Sequence, residues 1–517
     1  MKRATQLKSL AALATTATLL TGCAVGGGEA SDADPTDTLR VTLDIPTTLD
    51  PTQIIALPDS ILSRMSFDTL VRKDDSGLVP GLADSWESTP LGADLVIREG
   101  GTCSDGTPIT ASLVKDSLEF FANSGSVMVD TTFGAEPAVI TADDATRTVK
   151  IQLGAEWPFL MDALSVASSG IICPAGLADP EALAIGSVEG AESGPYVLSA
   201  VEPGVKYTYE MRDDYEMWPE WTTDLPGKPA QTMVYSMAPD PSAAANMVKD
   251  GQLDIAKIMP ETMARFDGDS ENTISTFLFS DNYVLFNERP SSAFTDPALR
   301  KAVAQVLDQA ALEKVVMGGN GELSTTFMSS ATQCYTGDDS AKIAYDPQAG
   351  AKVLDGVKIR FVGTNIFGVN GSGNTYVQEA LRAAGADVTM DNVDLGTWIS
   401  RLYDEPDSWD MTVYLDLNYI GSLASALGQM QGETPENGGS NMGGTNNPEA
   451  AQLFADAQLV ADDAARCDAL NAAGTSLIKN ADAIPVMVDK YIYAQRPGFE
   501  SFMLGGSIDD HIFRIVK

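Results

Sequence analysis

The chain has 517 residues, enough for two to four domains of ordinary size, and 44% of them are apolar, which excludes a disordered chain. Its 72 acidic and 33 basic residues give a formal charge of −39, which repels phosphate backbones and anionic lipid and excludes nucleic acid as a partner. Acidity suits a soluble extracellular or a salt-tolerant protein equally well and decides nothing further.

The first predicted elements are not part of the fold. "MKRATQLK" is positively charged, "SLAALATTATLL" is an uncharged Ala- and Leu-rich run, and "LTGC" ends at Cys23. The run falls short of the roughly 20 apolar residues that span a bilayer, and its charged start and small-residue end fit an export signal over residues 1–22. Leu, a small polar residue, Gly and then Cys resembles a bacterial lipobox, which implies acylation of Cys23 as the new N-terminus. Residues 23–37 offer little to bury and are expected to form a flexible tether, holding the body on the order of 20 Å from the lipid.

In the body, "TLRVTLDIPTTLDPT" opens with alternating Leu39, Val41 and Leu43, a strand signal, and "SILSRMSFDTLV" sets Ile61, Leu62, Met65 and Leu70 at near-helical spacing. Strand then helix begins an α/β layer. The hydroxyl- and acid-rich "SDGTPITASLVKDSL" invites a catalytic reading, yet Asp105 and Gly106 form a turn dipeptide and Thr110 is a good N-cap stapled by Ile109 and Val114. Leu113 stands where a capping box would place an acid, and Val114, Leu118 and Phe121 share one apolar face. Antiparallel strands are predicted in "SGPYVLSAVEPGVKYTYEMRDDYEMW", and a helix stopped at Gly251 with a short strand in "PSAAANMVKDGQLDIAKI". "DNYVLFNERPSSAFTDPALRKAVAQVLDQAALEKVV" predicts a strand, a polar loop and one helix from Pro297 with Leu299, Val303, Val306 and Leu307 inward. Strand and helix recur in "VKIRFVG" and "NTYVQEALRAAG", and "WDMTVYLDLNYIG" is another strand. The Gly- and Asn-rich loop over 431–450 is long enough to be functional. Pro448 to Asn480 reads as helical, and "AIPVMVDKYIYAQ" and "DDHIFRIV" close the chain as strands.

Eight stretches in this order carry a resemblance: "TLDP" at 48–51, "LVPGLADSWE" at 78–87, "SDGTPITASLVKDSL" at 104–118, "SGPYVL" at 193–198, "DGQLDIA" at 250–256, "FNERPSSAFTDPALRKAVAQVLDQAAL" at 286–312, "AYDPQAGAKVL" at 344–354 and "NPEAAQLFADA" at 447–457. The chain resembles the family 5 extracellular solute-binding proteins of ABC importers, which bind dipeptides, oligopeptides or nickel. That resemblance implies an α/β fold of the type II periplasmic-binding-protein kind, with two lobes of mixed sheet around a ligand cleft and an extra domain on the first lobe. By matching motifs the first lobe takes 38–70, 190–287 and 485–517, the extra domain 71–189, and the second lobe 288–484. Crossings are expected near Phe286–Asn287 and Pro485–Val486. An exported chain favours disulfides, and the four cysteines after Cys23 allow three pairings. Cys103 with Cys173 and Cys334 with Cys467 is the pairing that keeps each bridge within one implied domain.

An enzyme would need a base, and the one histidine, His511, is expected at the surface of a terminal strand. No GxSxG, HExxH or Walker sequence occurs, and "GVNGSGN" fits neither a dinucleotide fingerprint nor a P-loop. A direct metal site lacks ligands, and no cofactor is expected. The resemblance implies a monomer, membrane-tethered by lipid, that captures an oligopeptide or similar polar solute and delivers it to permease and ATPase subunits. A metal chelate or oligosaccharide is the alternative ligand, and a surface adhesin the alternative class. Peptide-binding relatives place an Asp against the ligand amine. Here Asp416, Asn418 and Tyr419 stand in the matching region, without the family's usual Trp and Asp-Pro. Trp398, Tyr283, Asn287, Trp409 and Arg401 complete the candidate ligand contacts.

Overall fold

Alternation in the first strand works as read: Leu39, Val41 and Leu43 are buried, and Thr38–Leu43 pairs in parallel with Thr232–Met237. The computed structural model describes residues 37–237, 240–460 and 462–516, so the expected signal peptide, Cys23 and all but the last residue of the tether lie outside it. Among the described residues no helix is long and apolar enough to cross a membrane.

Among those residues, eleven strands share one mixed sheet. One half runs Asp387–Val393, Lys358–Thr364, Met411–Asp416, and the other Ile255–Lys257, Thr38–Leu43, Thr232–Met237, Lys206–Met211, Tyr196–Glu202. Between them lie two long strands, Thr273–Phe286 and Ala483–Gln495, which pair antiparallel with each other, and the eleventh strand, Glu322–Leu323, pairs with Ala483–Gln495 off this path. The second half of Thr273–Phe286 pairs with Met411–Asp416, whereas Gln495, Ala494 and Tyr493 pair with Ile255–Lys257. The change of neighbours therefore falls inside the long strands, around 279–281 and 489–491, rather than at Phe286–Asn287 and Pro485–Val486. A register irregularity between Leu278 and Asp281 marks the spot, as a bulge adds local twist.

A separate antiparallel sheet joins Ala83–Thr89, Gly92–Ile97, Thr148–Gln152 and Val139–Asp143. Helix Ala111–Ala122 lies in this region, with the Thr110 hydroxyl accepting from the Leu113 amide at 3.2 Å and Val114, Leu118 and Phe121 buried. The hydroxyls and acids of that stretch are thus engaged in capping and turns, Ser112 bonding Asp144 and Asp105 closing its own turn on Thr107. Cys103 is bonded to Cys173 and Cys334 to Cys467.

Three expectations need correction. The single helix from Pro297 is two, Pro297–Val306 and Gln309–Met317, because Asp308 caps the second by accepting from the Ala311 amide. The helical stretch from Pro448 likewise divides into Pro448–Leu459 and Asp463–Lys479, the latter capped by Asp462. His511 is not a surface residue in a strand. It is 1% exposed within the turn Asp510–Ile512, and only Arg514–Ile515 is extended, paired with Phe499–Glu500. The chain end folds inward because Asp509 and Arg72 give the imidazole polar partners inside.

Candidate functional site

At the crossing, Thr273–Phe286 passes from half-exposed to buried, Ala483–Gln495 is buried except at Asp489 and Lys490, and both carry acids among apolar residues. Asp281 and Asp416 are buried and Asp489 half-buried: Asp281 stands directly opposite Asp416, and Val488, next to Asp489, faces Asp281 across the strand pair. Asp416 Oδ1 accepts from the Asn418 amide at 2.9 Å, Ser425 Oγ at 3.0 Å and Gln429 Nε2 at 3.4 Å, while its Oδ2 finds no partner among the described residues. Asn418 Nδ2 donates to Asp281 Oδ2 at 3.2 Å, and Asp281 Oδ1 is also unpartnered. Burial pushes the Asp416 carboxyl up to about 6. Burial and the Asp416 charge push Asp281 well above the usual carboxylate range. Asp489, held by Ser280 and Asn282, is raised by burial to about 7.

The strand Met411–Asp416 ends where Asn418 adopts a left-handed conformation, φ +44°. Asn tolerates this better than most residues because its short side chain bonds locally, here accepting from the Ser422 amide at 2.9 Å. The turn places Leu417 and Tyr419 in the lining of a small, partly open chamber of about 30 Å³. Across it stand Leu57, Ser60 and Arg64 of helix Leu57–Ser66, with Phe279 of the crossing strand and Ile508 near the C-terminus. The chamber therefore joins residues from both halves of the sheet. Arg64 is fully buried, and burial beside Arg72 lowers its guanidinium to about 9.

The remaining sequence candidates are committed to the fold. Trp398 is 1% exposed, donates its indole N–H to Thr412 Oγ1 at 2.8 Å, and stacks toward Tyr414. Tyr283 packs on Tyr414 and Phe327 and donates to Gln429, which in turn donates to Asp416. Asn287 donates to the carbonyls of Pro406 and Trp409, and Trp409 is buried. Arg401 pairs at 2.6 Å with the exposed Asp391. The structure thus gathers Asp416, Asn418 and Tyr419 at the crossing, links Tyr283 to them through Gln429, and leaves Trp398, Asn287, Trp409 and Arg401 as supports or surface.

Sequence reasoning passed over Asp281, Asp489, Arg64 and Arg72. Their common signal was present: a charged residue interrupting an apolar run, as in "LFSDNYVLF", "PVMVDKYIY" and "DTLVRKD". Reading those runs only for strand pattern hid it.

Over residues 77–424 the sequence matches the family described as bacterial extracellular solute-binding proteins, family 5 middle. A substrate-binding protein from Microbacterium hydrocarbonoxydans, solved in complex with 4-hydroxybenzoate hydrazide, is 49% identical, and the match covers 93% of this chain and 100% of that one with a TM-score of 0.87. AgaA from A. tumefaciens R10, solved with agropinic acid, shares the fold at 21% identity and a TM-score of 0.78, covering 93% and 99% of the two chains. The periplasmic murein peptide-binding protein MppA of Escherichia coli K12 is 24% identical over 333 residues, 60% of this chain and 59% of that relative's length. The shared architecture is the mixed α/β type II binding-protein fold.

Proposed function

Because the chain belongs to the bacterial extracellular solute-binding proteins of family 5, we propose that it captures a small aromatic acyl solute between two lobes and hands it to an ABC permease. The first lobe comprises about 38–70, 190–280 and 490–517, the extra domain 71–189, and the second lobe the intervening segment, with boundaries moved to where the long strands change neighbours. Lipidation of Cys23 would hold a monomer outside the membrane within reach of the permease and its ATPases.

The observation that carries this reading is the chamber at the crossing. Leu57, Phe279, Leu417, Tyr419 and Ile508 give it apolar and aromatic surface, and Arg64 and Ser60 give it donors, the mixture that suits a ring bearing a carbonyl. At about 30 Å³ the chamber has room for about one water, so a ring enters it only as the lobes part, and an extended oligopeptide would need a longer trough with free backbone partners. The hydrazide bound by the 49% identical relative supports the same ligand class.

Isothermal titration calorimetry with 4-hydroxybenzoate hydrazide and with a murein tripeptide tests the proposal. Saturable binding of the hydrazide and none of the tripeptide is expected, with Tyr419→Ala weakening the hydrazide by about tenfold through lost aromatic contact. Tripeptide binding without hydrazide binding would return the site to the oligopeptide reading.

A further inference from the structure

Behind the first-lobe wall of the chamber lies a second space of about 10 Å³, whose lining includes Arg64, Arg72, Lys73, Ser165, Trp221 and Asp509. Arg64 stands in the walls of both spaces. Lys73 is matched by Asp162 at 2.9 Å and also donates to the Ile420 carbonyl across the crossing. Arg64 donates to neutral acceptors, Thr69 Oγ1 and the Ser165 carbonyl. Arg72 is 1% exposed. Its Nη2 lies 3.2 and 3.1 Å from the His511 ring nitrogens and 3.3 Å from Asp509 Oδ2. Its Nε and Nη1 find no acceptor among the described residues.

Arg64, Arg72 and Arg514 stand near Asp68, Asp509, Asp510 and His511, all of them buried, with burial raising Asp510 and lowering His511. Trp218 stacks on the imidazole at 6.0 Å and Trp221 lies under the Arg72 guanidinium at 5.9 Å, so apolar rings wall the cluster rather than water. Two charged N–H donors buried without an acceptor cost more than a lost hydrogen bond. A space of this size holds one atom of water dimensions or slightly more.

The geometry points to an anion site in this space: Arg72 Nε and Nη1, backed by Arg64 and Lys73, take either a halide from solution or one oxygen of a carboxylate carried by the transported solute. The second source rests on the interlobe reading above, and the first does not. Crystals of the protein grown in sodium bromide, with and without 4-hydroxybenzoate, separate the two. A bromide anomalous peak beside Arg72 Nε that 4-hydroxybenzoate leaves in place assigns a resident halide. Carboxylate density there assigns the solute. In solution, Arg72→Lys keeps the charge and loses the forked donors, so it should weaken the occupying anion by about tenfold while uncharged 4-hydroxybenzoate hydrazide stays within about threefold. Lys73→Met, which leaves the Arg72 contacts in place, should weaken the same anion and serves if Arg72→Lys fails to fold. Equal loss for anion and hydrazide in both variants would make the cluster a packing element and overturn the inference. Hydrazide bound between the lobes with neither bromide nor carboxylate at Arg72 would overturn it too, and would leave the interlobe reading standing.

Discussion

Asp489 is a half-buried residue of a mostly buried strand, and among the described residues Ser280 and Asn282 donate to it, while the charge of Lys257 acts on it without a hydrogen bond. Burial raises its carboxyl to about 7, so the folded state holds a proton that the unfolded chain releases near pH 4. The sign follows: this stabilising contribution is complete below the unfolded-state value and is lost as pH rises through about 7. Asp489→Asn keeps an acceptor for Asn282 and removes the ionisation. Urea denaturation should find the variant close to the wild type at about pH 4 and more stable by about 2 kcal/mol at about pH 8. The same difference at both pH values would contradict a buried ionisable carboxyl. Which residues matter was only partly legible in the sequence. Asp416, Asn418 and Tyr419, picked out because they depart from a matched motif, stand together at one strand end. Arg64, Arg72 and Asp281 could not be given a role, because their partners are remote in sequence: Arg72 and His511 are 439 positions apart.

At the scale of elements, the turn after Met411–Asp416 supplies Leu417 and Tyr419 to the chamber lining, and on the proposed function it would shape what enters. Leu417 and Tyr419 both line the chamber, and Asn418 between them is left-handed and bonded to Asp281 and Ser422. Asn418→Gly preserves the conformation and should retain solute binding with a small loss of stability. Asn418→Val, a β-branched residue forced into that region, should cost about 1 to 2 kcal/mol in urea denaturation and weaken solute binding in the same experiment. Unchanged binding in the Val variant would show that the turn does not shape the site. Strands and helices themselves were readable from periodicity and caps, as Thr110 and the buried Val114, Leu118 and Phe121 show. What periodicity missed were the breaks at Asp308 and Asp462, where an acid that could have been an exposed helical residue serves as a cap instead.

At the scale of the molecule, two long strands are the shared backbone of both halves, and the buried acids, the Asn418 turn and the chamber all lie where these strands change neighbours. On the proposed function, a hinge there would couple solute capture to lobe closure, since a ligand touching both Arg64 and Tyr419 would favour the closed population by its differential contacts. Motif order implies a two-lobe plan, whereas the place where the long strands change neighbours depends on pairing between segments some 200 residues apart, which local pattern does not encode. The rival location for a solute is the roomier cavity of about 200 Å³ beside Pro485 and Tyr345, lined by Ala304, Leu307, Leu323 and Ile484 and sharing no lining residue with the chamber. A crystal structure of the protein with 4-hydroxybenzoate hydrazide decides between them. The account predicts the ring between Arg64, Phe279 and Tyr419, in contact with both lobes, and a hydrazide found only in the cavity beside Pro485 would contradict it.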